Sequence, residues 1–178
     1  DFFSIAVLQL LFGTPLVAVP LMVLVAGSEF ERSGAILPIL MLAMLPIFTG
    51  AMTGHAIVAL NKQRAMLWGY AFTAVVALVG YFLLIPHFGI TGAAWMTVAS
   101  EVLINALTAL VVMKTSSWKP NLSIFSKALV ASAIMTLVIL ALPTLHVLLT
   151  ILVATTFYAA AIVALGGVRI ASLRELFQ

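Results

Sequence analysis

Glu101 is the only acidic residue set deep inside an apolar run of this chain. It stands eight residues past Ala93. At about 1.5 Å of helix rise per residue that is about 12 Å in, near the middle of a hydrocarbon core about 30 Å thick. An ionisable group at that depth is costly unless it faces a bundle interior or water, so a functional role is the default expectation. Asn105 lies one turn further on and shares its face, as do Thr97 and Ala94. Two readings follow: a cation- or proton-responsive carboxylate in a transport cavity, or a hydrogen-bonded glutamic acid that ties helices together.

His55 is the only histidine placed within an apolar run, about one and a half turns from a basic loop. It can act as a group that titrates near neutral pH or as a partly buried, hydrogen-bonded interface histidine. It follows Gly50-Ala51-Met52-Thr53-Gly54, a pattern suited to close helix packing. His87 and His146 fall in turns.

Catalytic constellations are missing, and no catalytic residue is assigned. There is no HExxH, no Gly-x-Ser-x-Gly and no phosphate loop. Ser100 and Ser132 have no histidine base in reach, and Glu101 alone does not make an acidic or metal-binding cluster. Without cysteine there is no disulfide, thiolate metal site or thiol chemistry. The expectation is a protein that is not an enzyme and holds no structural metal, with a coupling cation, Na+ or H+, left open.

The elements that must position these residues are membrane helices. The 178 residues are 65% hydrophobic and 7% charged, with mean hydropathy +1.29, against about 25% charged in ordinary soluble domains. The expected fold is all-α, a polytopic bundle of six transmembrane helices over residues 1–167, with spans at about 2–26, 34–60, 65–85, 93–113, 128–142 and 147–165. Pro15 and Pro20 in the first span, and Pro38 and Pro46 in the second, predict kinked or broken helices. Leu122 to Lys127 reads as an interfacial stretch, and 168–178 as a short amphipathic cytoplasmic tail on the membrane surface. Trp68, Trp118 and Trp95 fall near span ends, as interfacial anchors do. Between the third and fourth spans, Pro86 predicts a helix stop, Gly89 and Gly92 a tight reversal, and Gly92-Ala93-Ala94 a helix start small enough for close packing.

The net charge of +3 reflects topology rather than nucleic-acid binding. Lys62, Arg64, Lys114, Lys119, Lys127, Arg169 and Arg174 fall on one side of the predicted spans and only Arg32 on the other, beside Glu29 and Glu31. The positive-inside rule then puts both termini in the cytoplasm and the Pro86–Gly92 hairpin outside. The abrupt start at Asp1-Phe2-Phe3, with no basic leader, reads as part of a longer chain.

From about Gly27 onward the chain resembles the C-terminal half of a polysaccharide flippase of the MOP superfamily, the Wzx-type exporters of lipid-linked oligosaccharide. The residues that carry the likeness are Gly27-Ser28-Glu29-Phe30-Glu31 with Ile36-Leu37-Pro38-Ile39-Leu40, then Ala59-Leu60-Asn61-Lys62-Gln63-Arg64, and above all Ile85-Pro86-His87-Phe88-Gly89-Ile90-Thr91-Gly92-Ala93-Ala94 with Ser100-Glu101. The likeness in order and spacing covers about Gly27 to Met113, whereas the last two spans match in hydropathy alone.

The resemblance implies one lobe of a two-lobe, MATE-like transporter working by alternating access in the cytoplasmic (inner) membrane. Its implied partners are membrane lipid, an isoprenoid pyrophosphate-linked oligosaccharide, a first lobe of the same protein and a glycan polymerase. In one respect the chain departs from such flippases: no Lys or Arg lies deep in a span to meet a pyrophosphate. A cation-coupled multidrug antiporter lobe and a non-transporting membrane scaffold are the alternatives.

Overall fold

The computed structural model describes residues 2–116, 122–141 and 146–166, and all regular structure among them is helical. Five helices follow one another: α1 (Phe2–Ala26), α2 (Glu31–Ala59), α3 (Gln63–Thr115), α4 (Leu122–Ala141) and α5 (Val147–Ala164), with a single 3₁₀ turn at Ser28–Phe30. Each is long and apolar enough to cross a membrane. Their outward faces carry large apolar side chains, such as Trp68 at 78% exposure and Phe82 at 73%. That surface is unsuited to water and suited to lipid, as expected of an integral membrane protein.

The prolines of α1 and α2 break neither helix. In a low-dielectric setting the carbonyls freed by proline find substitutes, so the helix continues. Pro86 behaves the same way and does not stop its helix, contrary to the sequence expectation. α3 runs on to Phe88 and breaks only at Gly89, at φ 56° and ψ −137°, a region open essentially to glycine. The expected Pro86–Gly92 hairpin is therefore a break at the single residue Gly89, and the expected third and fourth helices form two arms of α3, 63–88 and 90–115.

The arms fold back on each other. Tyr81 Oη and Thr97 Oγ1 share a hydrogen bond of 2.9 Å. Buried Gly92 lies so close to the first arm that a β-carbon on it would stand 2.6 Å from the Leu84 carbonyl oxygen. The α2–α3 turn closes on Asn61 in the left-handed region, φ 54°. The N–H groups of Asn61 and Lys62 return to the carbonyls of Val58 and Ile57, both at 3.0 Å, which is the Schellman ending of a helix.

Two further boundaries differ from expectation. α2 begins at Glu31 rather than Gly34. Leu122–Lys127, read from the sequence as interfacial, is the first part of α4. Lys127 reaches along the surface to donate to the Gly166 carbonyl at 3.1 Å, covering an orphan acceptor at the end of α5. The expected amphipathic tail 168–178 and Trp118 lie outside the described residues.

The chain forms two compact units, Asp1–Ala35 with Asn121–Gln178, and Ile36–Pro120. In the first, α1, α4 and α5 pack around Leu8, Ala131, Met135, Ala154, Tyr158 and Ile162. Small residues Ala128, Ala131 and Ser132 on one face of α4 are fully buried and let the backbones approach. Tyr158 donates its hydroxyl to the Ile5 carbonyl at 2.7 Å, tying α5 to the start of α1. In the second unit, Ile57 of α2 packs with Met66 and Val112 from the two arms of α3.

Candidate functional site

The second unit holds a cavity of about 200 Å³ between α2 and the two arms of α3. Gly50 and Ala51 of α2, Tyr70 of the first arm, and Glu101, Asn105 and Thr108 of the second line it. The helical spacing of Glu101, Asn105 and Thr108 is what brings three polar groups to one wall, as their sequence positions require.

A ladder of hydrogen bonds joins α2 to the second arm beside this cavity. Asn105 Nδ2 donates to Thr49 Oγ1 at 2.9 Å. Thr49 in turn donates its single proton to the Leu45 carbonyl at 2.8 Å. One turn on, the Thr53 and Thr108 hydroxyls lie 2.9 Å apart, and both residues are buried. The Asn105 Oδ1 atom is buried with no hydrogen-bond partner. It lies beside Gly50, where a β-carbon would stand 3.5 Å from it.

Of the residues singled out in the sequence, Glu101, Asn105 and Gly50 come together in this cavity. Glu101 is half-buried. His55 does not line the cavity and is exposed on α2. Gly54 is not in a tight contact: a β-carbon there would meet nothing within 4 Å. Gly92 makes the close approach expected of it, while Pro86 and Gly89 are exposed near the break and Ala93 is half-buried. The hydroxyls of Ser100 and Ser132 donate to the carbonyls of Thr97 and Ala128, at 2.9 and 2.8 Å.

The first unit contains a second, largely apolar cavity of about 270 Å³ between α1, α4 and α5. Gln9 Nε2 donates to Thr155 Oγ1 at 3.2 Å at its edge. Neither residue was expected at a site. The available signal was Gln9 itself, the one amide in the apolar run of α1.

Chemically, the Glu101 cavity is rich in oxygen acceptors and has no basic side chain in its lining. Among the described residues no group of three His, Cys, Asp or Glu side chains could hold a metal ion. No family model matches the chain, and neither a curated protein nor a solved structure gives a significant match.

Proposed function

We propose that the chain is one lobe of a membrane transporter that moves an isoprenoid pyrophosphate-linked oligosaccharide across the cytoplasmic membrane by alternating access. The observation that carries transport is the cavity lined by Glu101, Asn105 and Thr108, which places a carboxylate within helices long and apolar enough to cross a membrane. Buried polar groups in membrane helices are costly to maintain and mark ion or substrate paths. The cargo class rests on the succession of segments from Gly27 to the Phe88-Gly89-Ile90 break and Glu101, in the order that lipid-linked oligosaccharide exporters show. In this reading the arms of α3 cross separately, giving six crossings with both ends cytoplasmic. Glu101 responds to the coupling ion, and the positive charge that meets the pyrophosphate comes from a first lobe. The protein is a carrier rather than an enzyme.

The test is translocation of a fluorescent lipid-linked oligosaccharide by the protein in liposomes. Movement is expected when this lobe is joined to its first lobe, with a fall of about tenfold, or about 1.4 kcal/mol, in Glu101→Gln. No movement under any ion gradient sinks the proposal. The single uncompensated carboxylate also suits a cation-coupled drug antiporter. In that case the same liposomes expel cationic dyes, again dependent on Glu101, and leave the oligosaccharide in place.

A further inference from the structure

We infer that the end of the second unit formed by the α2–α3 turn and the last turn of α3 is a binding surface for the headgroup of an anionic phospholipid, whose phosphate meets Lys62, Arg64 and Lys114. Binding there requires only that the unit sits in a bilayer and is independent of transport and its cargo.

Packing brings the three cations to one level. Met66 of the first arm of α3 packs with Ile57 of α2 and Val112 of the second arm. Arg64 stands two positions outward of Met66, and Lys114 two outward of Val112. At about 1.5 Å of rise per residue, both lie about 3 Å beyond that packed layer. Lys62 stands in the turn between α2 and α3. All three side chains are exposed.

Neutral groups close both helix ends at this level, a task that basic side chains can also perform. At the end of α2, the N–H groups of Asn61 and Lys62 and the Gln63 amide cover the carbonyls of Val58 and Ile57. At the end of α3, the hydroxyls of Thr115 and Ser116 donate to the carbonyls of Val111 and Val112, at 2.7 and 2.9 Å. Lys127 of the first unit differs, since its ammonium is held on the Gly166 carbonyl. The acidic side of the second unit is as thin. Its one acidic residue, Glu101, lies eleven positions inside Val112, about 16 Å along the arm.

Trp68 is exposed one turn inside Arg64 and shares its face. An indole with an apolar body and a polar N–H belongs at headgroup depth, so this end of the unit lies where lipid phosphates are. The guanidinium takes a phosphate through paired N–H bonds and the two ammonium groups through point charge. Each basic residue near the surface adds to the attraction for anionic lipid. Beneath the cations the exposed side chains of Leu67 and Trp68 offer an apolar surface. A lipid chain can lie against that surface and a soluble phosphate cannot, which favours the lipid.

The test reads Trp68 directly. The chain carrying Trp95→Phe and Trp118→Phe is placed in nanodiscs of phosphatidylcholine that contain a chain-brominated lipid, either phosphatidylglycerol or phosphatidylcholine. Brominated phosphatidylglycerol is expected to quench Trp68 at about a tenfold lower mole fraction than brominated phosphatidylcholine. The preference is expected to vanish in 1 M NaCl, where the screening length is about 3 Å. Arg64→Gln and Lys114→Gln are each expected to lower it about twofold, and Lys127→Gln to leave it unchanged.

Equal quenching by the two lipids overturns the site, as does a preference that survives 1 M NaCl or both single variants. A fall with Lys127→Gln as large as that with Lys114→Gln also overturns it, because overall charge is then acting rather than this surface. Displacement of the brominated lipid by inorganic phosphate, beyond that by NaCl at equal ionic strength, makes the ligand a soluble anion. Displacement by a polyprenyl pyrophosphate but not by unlabelled phosphatidylglycerol makes it the cargo. Either result overturns the phospholipid assignment.

Discussion

Thr53 and Thr108 bridge α2 and the second arm of α3 through hydroxyls 2.9 Å apart, one donating to the other while the acceptor gives its own proton to a carbonyl of its helix, Gly50 for Thr53 or Asn105 for Thr108. Replacing either with valine removes the bridge but keeps the shape. Each single variant is expected to cost about 1 kcal/mol, and the double variant less than the sum, with a coupling of about 0.5–1 kcal/mol. Equilibrium unfolding in mixed micelles measures this cycle, and strict additivity would mean that the hydroxyls do not meet. At this scale the site was half legible in the sequence. Glu101 announces itself as a charge in an apolar run, and the spacing to Asn105 places both on one face. Thr49, which fixes the Asn105 amide, gives no such sign. It is 56 positions away, and the register of one helix against another is set by packing that a local period does not encode.

α3 is punctuated by its glycines. A side chain on Gly92 would meet the Leu84 carbonyl at 2.6 Å and the Phe88 β-carbon at 3.0 Å. Gly92→Val is therefore expected to force the arms apart at a cost of about 1–3 kcal/mol. Gly54→Ala is expected to be neutral or to stabilise α2 by up to about 1 kcal/mol, since its β-carbon enters open space and glycine is a poor helix former. Melting temperatures of the two variants, moving in opposite directions, check the pair; a loss at Gly54 would show a contact that this chain alone does not make. Apolar runs made the helices legible, and α1 spans the residues its hydropathy marks. The ends were harder. Pro86 looks like a stop because proline lacks a donor, yet one missing bond does not end a membrane helix, whereas the backbone twist at Gly89 does.

For the whole molecule, the lack of cysteine makes single-cysteine labelling unambiguous. Gln63→Cys, between Lys62 and Arg64, is expected to react with an impermeant maleimide from the cytoplasmic side, and His87→Cys, beside the break, from the opposite side. Labelling of both from one side would show that the arms of α3 do not cross separately. The hydrogen bond from Tyr158 to Ile5 carries a consequence for biogenesis. The unit it closes is assembled from residues 1–35 and 121–178, with 36–120 made in between. At about 5–20 residues per second of synthesis, α1 leaves the ribosome many seconds before α5 exists to receive it. Throughout that interval Gln9 has no Thr155 to bond and the Leu8 face has no α5 against which to pack. The first helix of this unit to be made is among the last to be secured, so the insertion machinery or the lipid itself must hold it in place while the inserted residues 36–120 build their own, more local contacts.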